Sequence, residues 1–376
     1  MRLWLVGLHK FRVASRALPR LYTLAHGAAR MAMPGRRERP AVVRRMLIVH
    51  HLLLGDTIML TPLLKKSRAR FPDAEIVLTC PPRFAPLYAG RPYGVNVMPL
   101  AARSLSDHQA LRKAGGFDLA LVPGDNRWSW LARAAGARWV VAFAADNAGY
   151  KEWPVDETRR MPDRPMAWGE IASLLVDGEA PALFSPDEWP APPHSSYERP
   201  AARYCVFHVG ASSPHKLWPA ERWLALRDWA ERAGYEVVLS SGRGEEPLLA
   251  PVDPDGRRSR LAGLDLAELW DLLKNAAFLV CPDTGIAHLA RVVGVPTVAI
   301  YGPGSPVSTG PGLFWAASPF RALWDPEVAC RDQDRLFERR LPWLRQCWRG
   351  VDECGDPICI RRVAVEQVIE AIESLL

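Results

Sequence analysis

The sequence predicts an α/β protein of two domains, each a doubly wound parallel sheet. Three observations carry this reading. At 376 residues, with 49% apolar and 24% charged side chains, the chain can fill two hydrophobic cores and has an ordinary globular composition. Short apolar runs alternate with helical stretches along both halves, the pattern of βαβ units. Between the halves lies a proline-rich stretch without periodicity, residues 179–203, which reads as an extended connector. The expected divisions are an extension (1–40), a first domain (41–185), a linker (186–203), a second domain (204–360) and a C-terminal helix (361–376).

Composition also excludes several classes. No run of about 18 uncharged apolar residues is present, so no membrane-spanning helix is expected. Seven cysteines, several inside apolar strands, argue against a general disulfide framework and for a reducing, cytoplasmic compartment. The net charge is +7, but residues 1–40 hold nine Arg or Lys against Glu38 alone, which leaves the rest at −1. A nearly neutral body does not suggest a nucleic-acid-binding face.

Within the extension, Trp4, Leu8, Phe11, Ala14, Leu18, Tyr22 and Ala25 recur at three- and four-residue spacing, with Arg12, Arg16 and Arg20 opposite them. This is a basic amphipathic helix, which Pro19 is expected to kink or break. Residues 1–25 suit an anionic membrane surface, the plainer readings being a helix packed on the body or a free tail. Charges interrupt every apolar core a cleaved signal peptide would need. Pro34 to Pro40 reads as a linker.

Met46 to Val49 is the first buried strand, followed by the loop Leu54-Gly55-Asp56-Thr57 and a helix expected from Asp56 towards Arg70. Residues 74–79, 95–100, 117–122 and 139–143 continue the strands. Ligands of such sheets sit beyond the carboxyl ends of the strands, where Asp56 falls. Taken alone, Asp56 reads as a simple helix cap rather than a functional carboxylate. The chain has neither G-x-G-x-x-G nor G-x-x-x-x-G-K-[ST], so it lacks the main signatures of dinucleotide oxidoreductases and P-loop ATPases.

The second domain opens with strand Tyr204 to Val209 and the loop containing Ser212, Ser213 and Lys216. Helix Ala220 to Ala233 is stopped by Gly234, and strand Glu236 to Ser241 leads into Gly242-Arg243-Gly244-Glu245-Glu246. Helix Leu266 to Asn275 precedes a strand ending at Cys281 and the turn Asp283-Thr284-Gly285-Ile286-Ala287-His288. Here Asp283 or Thr284 can cap the next helix, Gly285 permits close approach, and Gly294 with Pro296 ends it. The positive start of that helix suits a phosphate. Three loops on one sheet edge then offer hydroxyls, an ammonium, carboxylates and an imidazole. That set suits a diphosphate held by Lys216 and hydroxyls, with a ribose diol donating to Glu245 or Glu246.

The chain resembles glycosyltransferase family 9, the ADP-heptose:lipopolysaccharide heptosyltransferases. The matching motifs are Leu54-Gly55-Asp56-Thr57 with Thr61-Pro62, Gly210-Ala211-Ser212 with Lys216-Leu217-Trp218-Pro219 and Trp223, and Asp283-Thr284-Gly285 with His288-Leu289-Ala290, Pro296-Thr297 and Tyr301-Gly302-Pro303. The resemblance implies a GT-B fold, two Rossmann-like domains facing a cleft, with the C-terminal helix packing back on the first domain. It implies inverting transfer of a heptosyl group from ADP-heptose to a lipid-linked glycan such as a lipopolysaccharide core, at the cytoplasmic membrane face. By position, Asp56 becomes the catalytic base. Ser212, Ser213, Lys216, Glu246 (or Glu245, since the loop length differs), Asp283, Thr284, Gly285 and His288 hold the donor, with no metal or other cofactor. His50-His51 before the loop, and the long extension, depart from the family pattern.

Other readings are a transferase using another nucleotide sugar and a non-catalytic sugar-nucleotide-binding protein. Cys330, Cys347, Cys354 and Cys359 cluster near the end with no C-x-x-C spacing. Buried thiols are the plain reading, a structural metal or a local disulfide the alternatives. Arg331, Arg335, Arg339, Arg340, Arg345 and Arg349 nearby read as facing an anionic acceptor or as a solvated helix face.

Overall fold

A computed structural model describes residues 2–34, 37–147 and 149–376, with side chains from Ala17 onward. Helix α1 (Arg2–Met31) precedes β1 (Arg45–Val49), α2 (Leu54–Ile58), α3 (Thr61–Arg70), β2 (Glu75–Cys80), β3 (Val95–Pro99), α4 (Leu105–Ala114), β4 (Leu119–Val122), α5 (Ser129–Ala134), β5 (Trp139–Phe143), β6 (Glu157–Arg159) and α6 (Trp168–Ser173). The second half contains β7 (Tyr204–His208), α7 (Ala220–Arg232), β8 (Glu236–Ser241), β9 (Ser259–Ala262), α8 (Leu266–Lys274), β10 (Leu279–Pro282), α9 (Gly285–Val293), β11 (Thr297–Ile300), α10 (Pro306–Thr309) and β12 (Phe320–Leu323). A hairpin, β13 (Arg335–Leu336) and β14 (Arg339–Arg340), and helices α11 (Ile358–Arg361) and α12 (Val365–Glu373) complete it.

The two large sheets run β3-β2-β1-β4-β5-β6 and β12-β11-β10-β7-β8-β9, with parallel pairing throughout. Strand order reverses between β1 and β4 in the first and between β7 and β10 in the second, the places where such sheets bind ligands. Burial on both faces explains the continuous apolar runs. In β1, Met46 and Ile48 enter a cluster that also takes Val206, Val238, Leu279 and Cys281 from the second sheet, while Leu47 and Val49 enter the outer core. One apolar cluster therefore spans both domains, and it includes Phe184 and Trp189 of the connector. Trp189 Nε1 donates to Leu87 O, and the amide of Phe184 to Phe314 O, so the connector is tied to both halves.

Several expectations are corrected. The helix after β1 breaks at Met59 and Leu60, because Pro62 has no amide proton and begins a new helix. Helix α1 runs on through Pro19, whose ring is buried on its inner face. The C-terminal helix packs on the second domain: Val363, Val368, Ala371 and Ile372 share a core with Trp218 and Trp223, and Trp218 Nε1 donates to Val363 O. Within the arginine-rich segment, Arg335 to Arg340 form a hairpin, not a helix; Arg331, ahead of it, is buried against the second domain and Arg339 against the first. Strands β6, β9 and β12 went unpredicted; they are short edges, and none is buried along its whole length.

In α1 the body-facing residues are Pro19, Thr23 and Gly27, with Gly27 against Trp130 of α5. Of the predicted apolar stripe, Leu18 is 63% exposed, Ala25 is exposed and Tyr22 is half-buried, while Leu21 beside it is 65% exposed. Trp4, Leu8, Phe11, Ala14, Arg12 and Arg16 lie outside the residues whose side chains are described. Among the described residues, no helix is long and apolar enough to cross a membrane.

Candidate functional site

The starts of α2 and α9 meet at the seam between the domains. A Cβ placed on Gly55 would lie 2.6 Å from His288 Cδ2, and one on Gly285 would lie 3.0 Å from Leu54 Cβ. Gly55 therefore has no room for a side chain and Gly285 little, which lets the two helix N-termini approach. Each helix start leaves its first amides without partners inside the helix, so positive potential converges on the seam.

Asp56 is the third residue of α2, and its Oδ2 accepts from the Leu53 amide at 3.2 Å. It is thus a cap, as the local pattern allows, yet Oδ1 has no hydrogen bond among the described residues. Part of the carboxylate reaches the surface, but protein surrounds it from both domains. That desolvation raises its pKa to about 6; the Leu53 amide and Lys216 oppose the shift and Asp283 adds to it. Thr57 is committed to its own helix, donating to Leu53 O at 2.9 Å.

Lys216 Nζ donates to Asp283 O (2.8 Å) and Oδ2 (3.1 Å), tying the loop after β7 to the turn after β10. One N–H of the ammonium stays free for another acceptor. Thr284 sits at the N-cap of α9 but makes no side-chain cap, and its Oγ1 is buried without a partner. Neither Asp283 nor Thr284 therefore caps the helix as expected. His288 is 6% exposed, and its Nδ1 also has no partner. Burial, with Arg291 and Lys216 nearby, holds its pKa well below that of a free imidazole, so it is neutral. Two unpaired polar atoms at one helix start are what a ligand would satisfy.

Glu245 Oε2 accepts from the Gly242 amide at 2.9 Å and lies directly against Gly210. A Cβ on Gly210 would collide with that carboxylate, so this glycine lets the loops after β7 and β8 close on each other. Glu246 is exposed; the Gly244 amide, at 2.9 Å, holds its carboxylate below the usual range. Ser212 is exposed and Ser213 half-exposed, with no side-chain hydrogen bond given to either among the described residues. The structure thus gathers Asp56, Lys216, Asp283, Thr284, Gly285 and His288, sets Glu245 beside Gly210, and turns Glu246 to solvent.

All seven cysteines are free, and no three His, Cys, Asp or Glu among the described residues are placed to hold a metal ion. The sequence reading missed the contribution of the C-terminal hairpin: Arg339 Nη2 donates to Asn126 Oδ1 (2.7 Å) and Phe143 O (2.9 Å) of the first domain. A run of arginines in a charge-neutral body was the one signal available.

The family model described as glycosyltransferase family 9 (heptosyltransferase) matches residues 106–318, more than half of the chain. The chain belongs to glycosyltransferase family 9. It is 26% identical over 361 residues to lipopolysaccharide heptosyltransferase 1 of Pseudomonas aeruginosa, covering 88% of this chain and 98% of that protein. The structure of ADP-heptose lps heptosyltransferase II of Escherichia coli superposes with a TM-score of 0.66 at 19% identity, over 88% of this chain and 98% of that one. The Escherichia coli heptosyltransferase WaaC, solved with ADP, superposes with a TM-score of 0.66 at 18% identity, over 88% and 100%. At such identities the likeness establishes the fold, and this family 9 glycosyltransferase has the GT-B architecture.

Proposed function

We propose that this enzyme transfers a heptosyl group from ADP-heptose, with inversion, to a lipopolysaccharide core or related lipid-linked glycan. The observation that carries the reading is the meeting of Asp56, on the first domain, with the Lys216–Asp283 pair and the α9 start on the second. The relatives named above, one of them solved with ADP, supply the donor class. In this reading the diphosphate takes the free N–H of Lys216 and the first amides of α9, with the Thr284 hydroxyl and neutral His288 on the sugar side. Glu245, set in the crease between two loops, accepts from the ribose diol.

The acceptor hydroxyl gives its proton to Asp56 as its oxygen attacks the anomeric carbon; the bond from that carbon to the diphosphate oxygen breaks, and ADP leaves. A carboxylate with a pKa of about 6 is ionised at neutral pH, yet a better base than a free aspartate. Charge developing on the leaving diphosphate is met by Lys216 and the helix start. The acceptor side is reached from the cytoplasmic membrane face, with α1 lying on the anionic lipid surface. Its outward Leu18 and Leu21, beside a +8 extension, support that placement.

The test is to incubate the protein with ADP-heptose and lipopolysaccharide lacking core heptose, and to follow the glycan by mass spectrometry. A gain of one heptosyl residue is expected. Transfer from UDP- or GDP-sugars with none from ADP-heptose would replace the donor assignment.

A further inference from the structure

The segment between Arg331 and Cys347 starts and ends on the second domain, where Arg331 Nε donates to Gly302 O and the Cys347 amide to Pro303 O. In between, it reaches across the seam. Its base is closed by paired bonds between Gln333 and Gln346. Near its tip Arg339, 2% exposed, places all its donors. Nε goes to Ala144 O (2.8 Å), Nη1 to Gly124 O (3.0 Å) and Phe337 O (3.2 Å), and Nη2 to Asn126 Oδ1 and Phe143 O. Apart from Phe337, these partners lie just past β4 or at and past the end of β5, on the ligand-binding edge of the first sheet.

Burying a guanidinium with carbonyl and amide oxygens as its hydrogen-bonding partners is a costly way to join two domains, since apolar packing would hold them more cheaply. The turn is costly too. Phe337 (φ 48°) and Glu338 (φ 67°) both occupy the left-handed region without being glycine. That strain sets the Phe337 ring 4.5 Å from that of Trp168 and against Gly124, beside Leu52. The loop so held, Gly124 to Trp128, carries Trp128, which stacks on His51 at 5.2 Å. His51 and Leu52 belong to the loop that leads from β1 into α2, the helix that carries Asp56. The hairpin therefore braces both loops flanking the strand-order reversal of the first sheet.

We propose that this hairpin, borne by the donor-binding domain, shapes the acceptor subsite. Arg339 is a positioning residue that holds the His51–Trp128 stack as an aromatic wall for the ring of the acceptor sugar presented to Asp56. The idea rests on the transferase reading above. Aromatic faces suit the C–H face of a saccharide, and His50-His51, which departs from the family pattern, sits on that wall.

Two variants test it. Arg339→Ala removes the brace; Phe337→Asn removes the ring but keeps a residue that tolerates the left-handed turn, and it decides the matter if Arg339→Ala does not fold. Amide hydrogen exchange is expected to quicken at residues 51–56 and 124–128 in both variants, whether or not any acceptor is known. With heptose-free lipopolysaccharide, KM for the acceptor should rise about tenfold, the size of a lost buried contact of about 1.4 kcal/mol, while the Kd for ADP stays within about twofold. Arg339→Lys should recover part of the loss. Unchanged exchange in those loops, unchanged acceptor KM, or an equal loss of ADP affinity would overturn the proposal. A wild-type protein that transfers nothing from ADP-heptose would instead defeat the donor reading, leaving the exchange result to decide this one.

Discussion

Asp56 holds one oxygen on the Leu53 amide and leaves the other free, so a helix cap keeps an oxygen with which to serve as the proposed base. Its pKa, raised from 3.8 to about 6, has a stability consequence of definite sign. The folded protein binds more protons than the unfolded chain between those values, so this group stabilises below pH 3.8, and its contribution is lost as pH rises through about 6. Asp56→Asn should therefore be more stable than wild type at pH 8, by about 1–2 kcal/mol after allowing for partial exposure, in urea titrations. The same variant should lose transfer by about 10²- to 10⁴-fold. The wild-type rate should climb with pH through about 6 and then level. A variant both less stable and fully active would show that Asp56 is only a cap. Among the ribose candidates, Glu245→Ala should weaken ADP binding about tenfold and Glu246→Ala by less than about twofold, as calorimetry would show. The resemblance put Glu246 ahead of Glu245 on the ribose; the approach of Gly210 to the Glu245 carboxylate, which no spacing foretells, is what favours Glu245 here.

At the scale of elements, the junction of α2 with α9 is the feature on which the site depends. Gly55→Ala pushes a methyl group into His288 and should separate the two helix starts. Overpacking of this kind costs about 1–3 kcal/mol, so kcat/KM should fall about tenfold or more while the isolated ADP affinity changes less. Strands such as Leu279–Pro282 and Thr297–Ile300 were legible because parallel strands buried on both faces are written as unbroken apolar runs. Phe320–Leu323 was not, since one exposed residue interrupts it and half-buried ones follow. The break before Thr61 had its signal in Pro62, which is permitted inside a helix only near its start. In helix α1, Leu18 and Ala25 of the apolar stripe face outward, as a lipid-facing stripe would, while small residues form the inner face, with Gly27 against Trp130 of α5. Removing residues 1–40 should therefore reduce pelleting with anionic liposomes and leave binding to neutral ones unchanged; equal pelleting would refute a lipid-binding role.

Over the whole molecule, two sheets share an apolar cluster, and two excursions of chain stitch them together. The connector does so through Phe184 and Trp189, the C-terminal hairpin through Arg339. Glu170 of α6 adds a third tie by accepting from the amides of Leu313 and Phe314 across the seam. The three donor-side loops were readable because each follows a strand of one parallel sheet, so topology alone places them on one edge. Nothing in the spacing of Arg335 to Arg340 said that their hairpin would cross to the other domain, and the return of α12 to the second domain was likewise decided by Trp218 and Trp223. The central claim is that donor and base meet at this seam. A crystal structure with a non-transferable ADP-heptose analogue tests it most directly. The diphosphate should lie within about 3 Å of Lys216 Nζ and the first amides of α9, with the anomeric carbon turned toward Asp56. An analogue bound elsewhere, or one whose anomeric carbon faces away from Asp56, would contradict it.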